Sequence, residues 1–401
     1  MNYVEVKYLP EKSKAYLGSP SILRLKDGSL LAVHDYFGAE GILDTDHECM
    51  LTSVYKSYDD GATWQNVTHI PYCFWCNLLE HNGEVYLLSC SKEYGDILLR
   101  KTTDGGYTWS VPCDEKHGLL FRAGERLAAD DPRLTAKSTG NWDFMVRTRR
   151  LNPNPHLPVT PWVHAYGRVF KTVEFYDTTM PIKGFYPKAY SACVMSAPED
   201  ADLMDASSWT FSNKLPFMED KFPAEIIREG TGFLEQTLAV APDGSLKGLI
   251  RVHFKTFNNA VMLNLSKDGR ELTYDPQPLI ENFPGGQSKF SIRRDEKTGL
   301  YFTLTNPRTF WDNMDLSQRN VLTLNCSADL RNWRELCVVC SDESGLPPEL
   351  SCRLTGFQYP DWQFDGDNII ALVRTAYRGA NRFHDANRIT YHVIKNFRSL
   401  I

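Results

Sequence analysis

The sequence predicts an all-β chain built from one hairpin-based unit repeated along its length. Three observations lead there. The stretch Ser57–Trp64, Ser-Tyr-Asp-Asp-Gly-Ala-Thr-Trp, has a near copy at Thr102–Trp109, Thr-Thr-Asp-Gly-Gly-Tyr-Thr-Trp. Apolar residues alternate ahead of both copies, at 51–56 and 97–101, as strands require. Sustained helical periodicity is almost absent, with only Asp200–Ser207 suited to a short helical turn. Asp can hydrogen-bond its own backbone and Gly accepts positive φ, so the pair closes a tight turn that the Trp can cover. One such turn says little, but recurrence within a chain marks a repeated unit.

Weaker copies follow. Ser266-Lys-Asp268-Gly269 lacks the Trp, Ser327-Ala-Asp329-Leu-Arg-Asn-Trp333 is one residue shorter and lacks the Gly, and Ser196 to Trp209 is a stretched form. Between them the chain reads as hairpins. Tyr3–Tyr8 alternates and suits an outer strand that closes the array with the C-terminus, which would remove free sheet edges. Further hairpins turn at Lys26–Ser29, Asn82-Gly83, Asp243-Gly244, Glu296–Gly299 and Asp365–Asp367. The stretch 113–161 breaks the rhythm with Asp130-Asp131-Pro132 and Asn152-Pro-Asn-Pro-His-Leu-Pro158. It reads as a partly irregular insertion on a functional rim. The count is about six units, or seven if the insertion hides one. No low-complexity linker interrupts residues 1–401, so one domain is expected.

The chain has 401 residues, enough to bury a large core. Its net charge of −6 argues against a nucleic-acid groove. No apolar run reaches membrane-spanning length. The N-terminal residues offer no apolar signal core, so a cytoplasmic protein or a processed form is expected. Ten cysteines include two CxxC pairs, Cys73/Cys76 and Cys337/Cys340, embedded in strand-like text. Residues three apart on a regular strand face opposite sides, so these read as separate buried thiols rather than a metal site.

The Asp-Gly-Trp turns resemble the Asp-box of the sialidase superfamily, where it joins the outer strands of β-propeller blades. The resemblance implies a six-bladed, sialidase-type β-propeller, with seven blades possible, acting on carbohydrate. It spans nearly the whole chain in short blocks. Glu235, the Asp243-Gly244 turn and Arg251 follow the family spacing for a Glu and an Arg of the site. Arg319 stands where the family's Arg opens the strand into an Asp-box. Tyr359, before Phe364-Asp365-Gly366, resembles the tyrosine nucleophile, although Pro360 follows where sialidases usually have Ser. Asp46, ahead of the first Asp-box, matches the acid/base Asp. A sialic acid carries a carboxylate on its anomeric carbon and would repel a carboxylate nucleophile. The family therefore uses Tyr with Glu as its base, outside the usual two-carboxylate scheme. Arginine forks hold the substrate carboxylate.

One block departs. The family's first-blade Arg-Ile-Pro is Gly18-Ser19-Pro20 here, so one Arg of the clamp is missing and an open space is expected beside Gly18. The substrate could then be another acidic sugar or a neutral one. Outside the family blocks, His34, Asp35, Trp75 and Arg168 are candidate substrate contacts, and Glu93–Gly95, Lys289 and His384-Asp385 are polar groups at strand ends. A lyase or rhamnosidase-like propeller using Tyr359 with His34 or His164 is an alternative, with His156 also on offer. A non-catalytic glycan-binding propeller is another. No cofactor or metal is expected, and the expected partner is carbohydrate, not nucleic acid or membrane.

Overall fold

A computed structural model describes residues 3–38, 49–128, 130–134, 149–180, 187–309 and 318–401. Six antiparallel sheets follow one another along the chain as the blades of a propeller. The first strand, β1 (Val4–Tyr8), belongs to the last blade. Blade 1 is β2 (Tyr16–Arg24), β3 (Leu30–Phe37), β4 (Leu51–Ser57) and β5 (Gln65–Pro71). Blade 2 is β6 (Phe74–His81), β7 (Glu84–Cys90), β8 (Ile97–Thr102) and β9 (Leu119–Phe121). Blade 3 has β10 (Asn154–His156) and β11 (Val163–Ala165) side by side on β12 (Arg168–Tyr176), then β13 (Tyr190–Pro198) carrying β14 (Thr210–Phe211) and β15 (Leu215–Pro216). Blade 4 is β16 (Phe233–Val240), β17 (Leu246–Val252), β18 (Ala260–Leu265) and β19 (Leu272–Ile280). Blade 5 is β20 (Ile292–Arg294), β21 (Tyr301–Thr305), β22 (Val321–Ser327) and β23 (Trp333–Ser341). Blade 6 is β24 (Gly356–Asp365), β25 (Asn368–Ala376) and β26 (Arg388–Ile394), completed by β1.

The pairing of β1 with β26, Val4 opposite Tyr391 and Tyr8 opposite Arg388, joins the two ends of the chain in one sheet. Both faces of each blade are covered by neighbours, which explains why the middle strands are continuous apolar runs. Leu30 and Leu31 point to opposite faces of β3, yet both are 0 % exposed. Six apolar clusters fill the six junctions between blades; in one, Leu17, Ala32 and Tyr55 of blade 1 pack with Leu372, Ile389 and Tyr391 of blade 6. Each such Leu or Ile contributes about 1.5–3 kcal/mol on burial.

The two Asp-Gly turns share one hydrogen-bond set. In the first, Asp59 accepts from the Ser57 hydroxyl (2.8 Å), the Thr63 amide (2.8 Å) and the Thr63 hydroxyl (2.6 Å), and the Trp64 indole donates to the Gly61 carbonyl (3.1 Å). In the second, Asp104 accepts from Thr102 (2.9 Å) and from the Thr108 amide (2.9 Å) and hydroxyl (2.6 Å), while Trp109 donates to Gly106 (3.1 Å). The turns also clamp blades together. Gly61 has φ +87°, and a Cβ there would stand 2.1 Å from the Tyr391 ring of blade 6. In the shortened copy Leu330 takes the glycine's place at φ +66°, accepts from the Trp333 indole at 3.0 Å and is fully buried.

Two local expectations are corrected. Cys73 and Cys76 are both buried, but their sulfurs lie 3.3 Å apart, because a bulge between Phe74 and Asn77 cancels the alternation of β6. A short helix, α1 (Pro348–Leu354), forms where none was expected, and only a 3-10 turn, Ala206–Ser208, forms near Asp200–Ser207.

Candidate active site

The site is built by a repeated irregularity. The innermost strands of blades 1, 2, 4 and 6 each slip register at the same place, between Leu17 and Pro20, Phe74 and Asn77, Leu234 and Thr237, and Gln358 and Asp361. The first residue in each slip is Gly18, Trp75, Glu235 or Tyr359. The last three hold φ of +54°, +62° and +52°. Side chains pay roughly 1–3 kcal/mol for such backbone, so surrounding packing must impose it. A second feature repeats beside it. Arg251 pairs with Leu234, and Arg374 pairs with Gln358, so both arginines stand on the second strand of their blade opposite the residue that precedes the bulge.

These residues line a cavity of about 860 Å³. Asp35, Trp75, Leu157, Glu235, Arg319 and Tyr359 reach it from six successive blades, which places it on the propeller axis. Leu157, Pro158 and Val159 of the irregular 113–161 stretch form part of its wall. The Asp-Gly turns lie at the opposite end of their strands: β4 starts near cavity-lining Cys49 and ends at Ser57.

Charge is concentrated here. Arg251 donates to Glu235 Oε2 at 2.6 Å and to the Gln287 carbonyl at 2.8 Å, with His253 Nε2 at 2.9 Å. Burial disfavours the Arg251 cation, but Glu235 and then Tyr359 outweigh it and its pKa is raised. Burial likewise opposes ionisation of Glu235, and Arg251, then His156, hold its pKa below the usual value. Arg251 thus stands beside both Glu235 and Tyr359 and links them. The Tyr359 ring has the Arg319 guanidinium 5.3 Å and the Arg374 guanidinium 4.9 Å from its centre. Arg319 donates to the Gln358 side chain, and Arg374 to the His384 carbonyl at 2.6 Å. Burial drives the pKa of Arg319 down and that of Arg374 to about 10. The Nε atoms of both are buried without a hydrogen-bond partner among the described residues. Of the three buried guanidiniums on the wall, Arg251 is paired with the Glu235 carboxylate, while Asp35 and Asp385 act on Arg374 from further off, which leaves Arg319 and Arg374 capacity for an anion.

Two proton-handling groups complete the wall. Asp35 accepts from the Ser19 amide at 2.9 Å and the Trp75 amide at 2.8 Å, and burial raises its pKa to about 7. His156 shares Nδ1 with Glu174 Oε2 at 2.8 Å, and the fully buried Glu174 also accepts from the Gln236 amide at 3.0 Å. The His156 ring packs edge-on to Trp75, 4.3 Å between centres.

Of the candidates from sequence, the fold brings Glu235, Arg251, Arg319, Tyr359, Asp35 and Trp75 to the cavity, along with Glu93, Tyr94 and His384. Asp46 lies outside the described residues. His34 is not on the wall: as Asp35's neighbour on β3 it faces the other side, buried and stacked on Tyr55 at 5.5 Å. Arg168 is at the far end of blade 3, bonded to Ser196 and Thr210. The His164 of the lyase alternative stacks on His81 and pairs with Glu199, away from the cavity. The space expected beside Gly18 is filled, since a Cβ there would lie 1.4 Å from Asp35 Oδ1. Arg374 and Glu174 were missed. Arg374 had a signal, because it follows the apolar run Ile369–Val373 of a second strand as Arg251 follows Leu249-Ile250.

No protein-family model matches the chain, and no curated protein matches it in sequence. Solved structures share the fold. An α-L-arabinanase from Penicillium chrysogenum, complexed with arabinobiose, matches at 11% identity and a TM-score of 0.56, over 100% of this chain and 99% of its own. The α-L-arabinofuranosidase Arb93A from Fusarium graminearum, in complex with an iminosugar inhibitor, matches at 11% identity and 0.54, over 98% of each chain. The sialidase of Trypanosoma rangeli, with 2,3-difluorosialic acid as a covalent intermediate, matches at 13% identity and 0.54, over 100% of this chain and 59% of its own.

Proposed function

We propose that this chain is a retaining glycoside hydrolase that releases a terminal acidic sugar. The observation that carries the reading is Tyr359, held in a bulge between the guanidiniums of Arg319 and Arg374 with Arg251 and Glu235 beside it. The propeller neighbours that act on glycosides support the class, and the cavity-lining guanidiniums of Arg251, Arg319 and Arg374 support an anionic substrate over a neutral furanose. Arg319 and Arg374 receive the carboxylate. The Tyr359 hydroxyl attacks the anomeric carbon as its proton passes to the Glu235 carboxylate, while the Arg319 and Arg374 guanidiniums beside its ring hold the substrate in place. The acid that protonates the leaving oxygen is Asp46 by family resemblance. Asp35 is the second candidate, because its carboxyl stays partly protonated at neutral pH.

Methylumbelliferyl glycosides of N-acetylneuraminic acid, glucuronic acid and α-L-arabinofuranose test this. Turnover of an acidic glycoside, with loss of most of kcat in Tyr359→Phe, supports the proposal; turnover of the arabinofuranoside alone overturns the acidic-sugar reading. One observation favours a second reading. The Glu174-supported His156 is a base suited to proton abstraction next to a uronate carboxylate, as in a lyase. A product absorbing in the near ultraviolet from a uronate polymer would select it.

A further inference from the structure

The Cys73-Phe-Trp-Cys76 motif is not used by the site chemistry, yet it forms part of the wall's support. Both thiols are fully buried, with their sulfurs 3.3 Å apart. A disulfide needs about 2.05 Å, so the two sulfurs must close by roughly 1.2 Å. The Thr52 hydroxyl contacts Cys76 Sγ at 2.7 Å and donates to the Cys73 carbonyl at 2.8 Å. Arg100, anchored on Ser89 and on the Tyr72 carbonyl at 2.8 Å, adds positive charge. Burial opposes a Cys73 thiolate, but the Cys76 thiol and then Arg100 outweigh it, and the Cys73 pKa is lowered. Burial and the Cys73 charge push Cys76 up. One sulfur is set as nucleophile and its neighbour as thiol, the pairing that thiol–disulfide chemistry uses.

The pair also lies close to space that a small oxidant can enter. Phe74 and Trp75, the residues between the cysteines, line the axial cavity. Pro71 and Tyr72, which precede Cys73, and Arg100, whose charge acts on it, line a second groove of about 700 Å³. We propose that Cys73 and Cys76 form a reversible disulfide with a peroxide and that Trp75 carries the change to the sugar cavity. The Cys73 thiolate attacks one peroxide oxygen, the O–O bond breaks, and the leaving hydroxide takes a proton to become water. The Cys76 sulfur then displaces hydroxide from the Cys73 sulfenic acid, and its thiol proton leaves with that hydroxide as a second water. Two thiols lose two electrons and the peroxide gains them. The new ring encloses the bulge that holds Trp75 at φ +54° with its amide on Asp35, so closure shifts both groups relative to Tyr359.

The test uses the full chain, treated with hydrogen peroxide while folded and mapped by peptide mass spectrometry. The peptide holding both cysteines is expected to lose the mass of two hydrogens and to regain it with dithiothreitol. In Cys76→Ser the same peptide is expected to carry a dimedone-trapped sulfenic acid on Cys73. Full alkylation of both thiols after peroxide and unfolding would overturn the proposal, as would a disulfide to any other cysteine. The link to the cavity is read by tryptophan emission. A change on oxidation that is absent in Trp75→Phe supports it, and disulfide formation with no Trp75-dependent change overturns that part. None of these readouts depends on the hydrolase reading.

Discussion

Arg251 and Arg374 occupy equivalent positions in two blades but should respond oppositely to removal. In Arg251→Met, the Glu235 carboxylate stays 4 % exposed without its partner at 2.6 Å. Breaking a buried pair this way costs about 3–5 kcal/mol, and the lost bond to the Gln287 carbonyl adds about 1 kcal/mol. Arg374 is different: burial has already pulled its pKa down to about 10, so its charge opposes folding by about 3 kcal/mol at neutral pH. Arg374→Met loses one bond to the His384 carbonyl, worth about 1 kcal/mol because that carbonyl keeps the Ala386 amide at 2.9 Å. The balance is about 2 kcal/mol more stable. Thermal melts of the wild type and both variants, beside calorimetric titration with the preferred acidic sugar, check this. Arg251→Met should melt well below the wild type, whereas Arg374→Met should melt above it and lose affinity. If Arg374→Met destabilises as much as Arg251→Met, the unspent-anion-site argument fails. If Arg374→Met keeps full affinity, Arg374 does not hold the substrate carboxylate.

Asp35 gives a pH prediction. Its folded pKa of about 7 lies above the unfolded carboxyl value, so the folded state binds the extra proton. The stabilisation is present below about pH 4 and is lost as pH rises to about 7, a fall of up to about 4 kcal/mol. Asp35→Asn should remove that fall, so unfolding curves at pH 8 should show the variant gaining relative to wild type, with no gain at pH 4. The turn glycines give a packing prediction. Gly61→Ala meets the Tyr391 ring at 2.1 Å and should cost about 2–4 kcal/mol, while Gly28→Ala, at φ +85° in open space, should cost about 1 kcal/mol; equal melting losses would deny the inter-blade clamp.

What was legible in the sequence was what local chemistry specifies. Asp59, Gly61 and Trp64 make their turn with bonds inside eight residues, so the repeat and the ring closure by Tyr3–Tyr8 could be read directly. Glu235, Arg251, Arg319 and Tyr359 were found by resemblance to the blocks of a known family, and the fold brings them to one cavity. The misreading of Cys73 and Cys76 came from assuming an unbroken strand. The bulges turn Trp75, Glu235 and Tyr359 into the cavity and bring Cys73 against Cys76, and no residue pattern announces them. His34 and Asp35 were both candidates, and only the packing of β3 decides which one faces the axis. Glu174 was invisible because its role depends on β10 pairing with β12, opposite a histidine in a proline-rich segment without periodicity.

The most direct test of the central claim is to trap the glycosyl-enzyme. The protein would be incubated with a fluorinated glycosyl fluoride of the acidic sugar it turns over, digested and mapped by mass spectrometry. The sugar is expected on Tyr359, with no adduct in Tyr359→Phe. An adduct on Glu235 or Asp35, or turnover that inverts the anomeric centre with no adduct, would contradict the tyrosine mechanism.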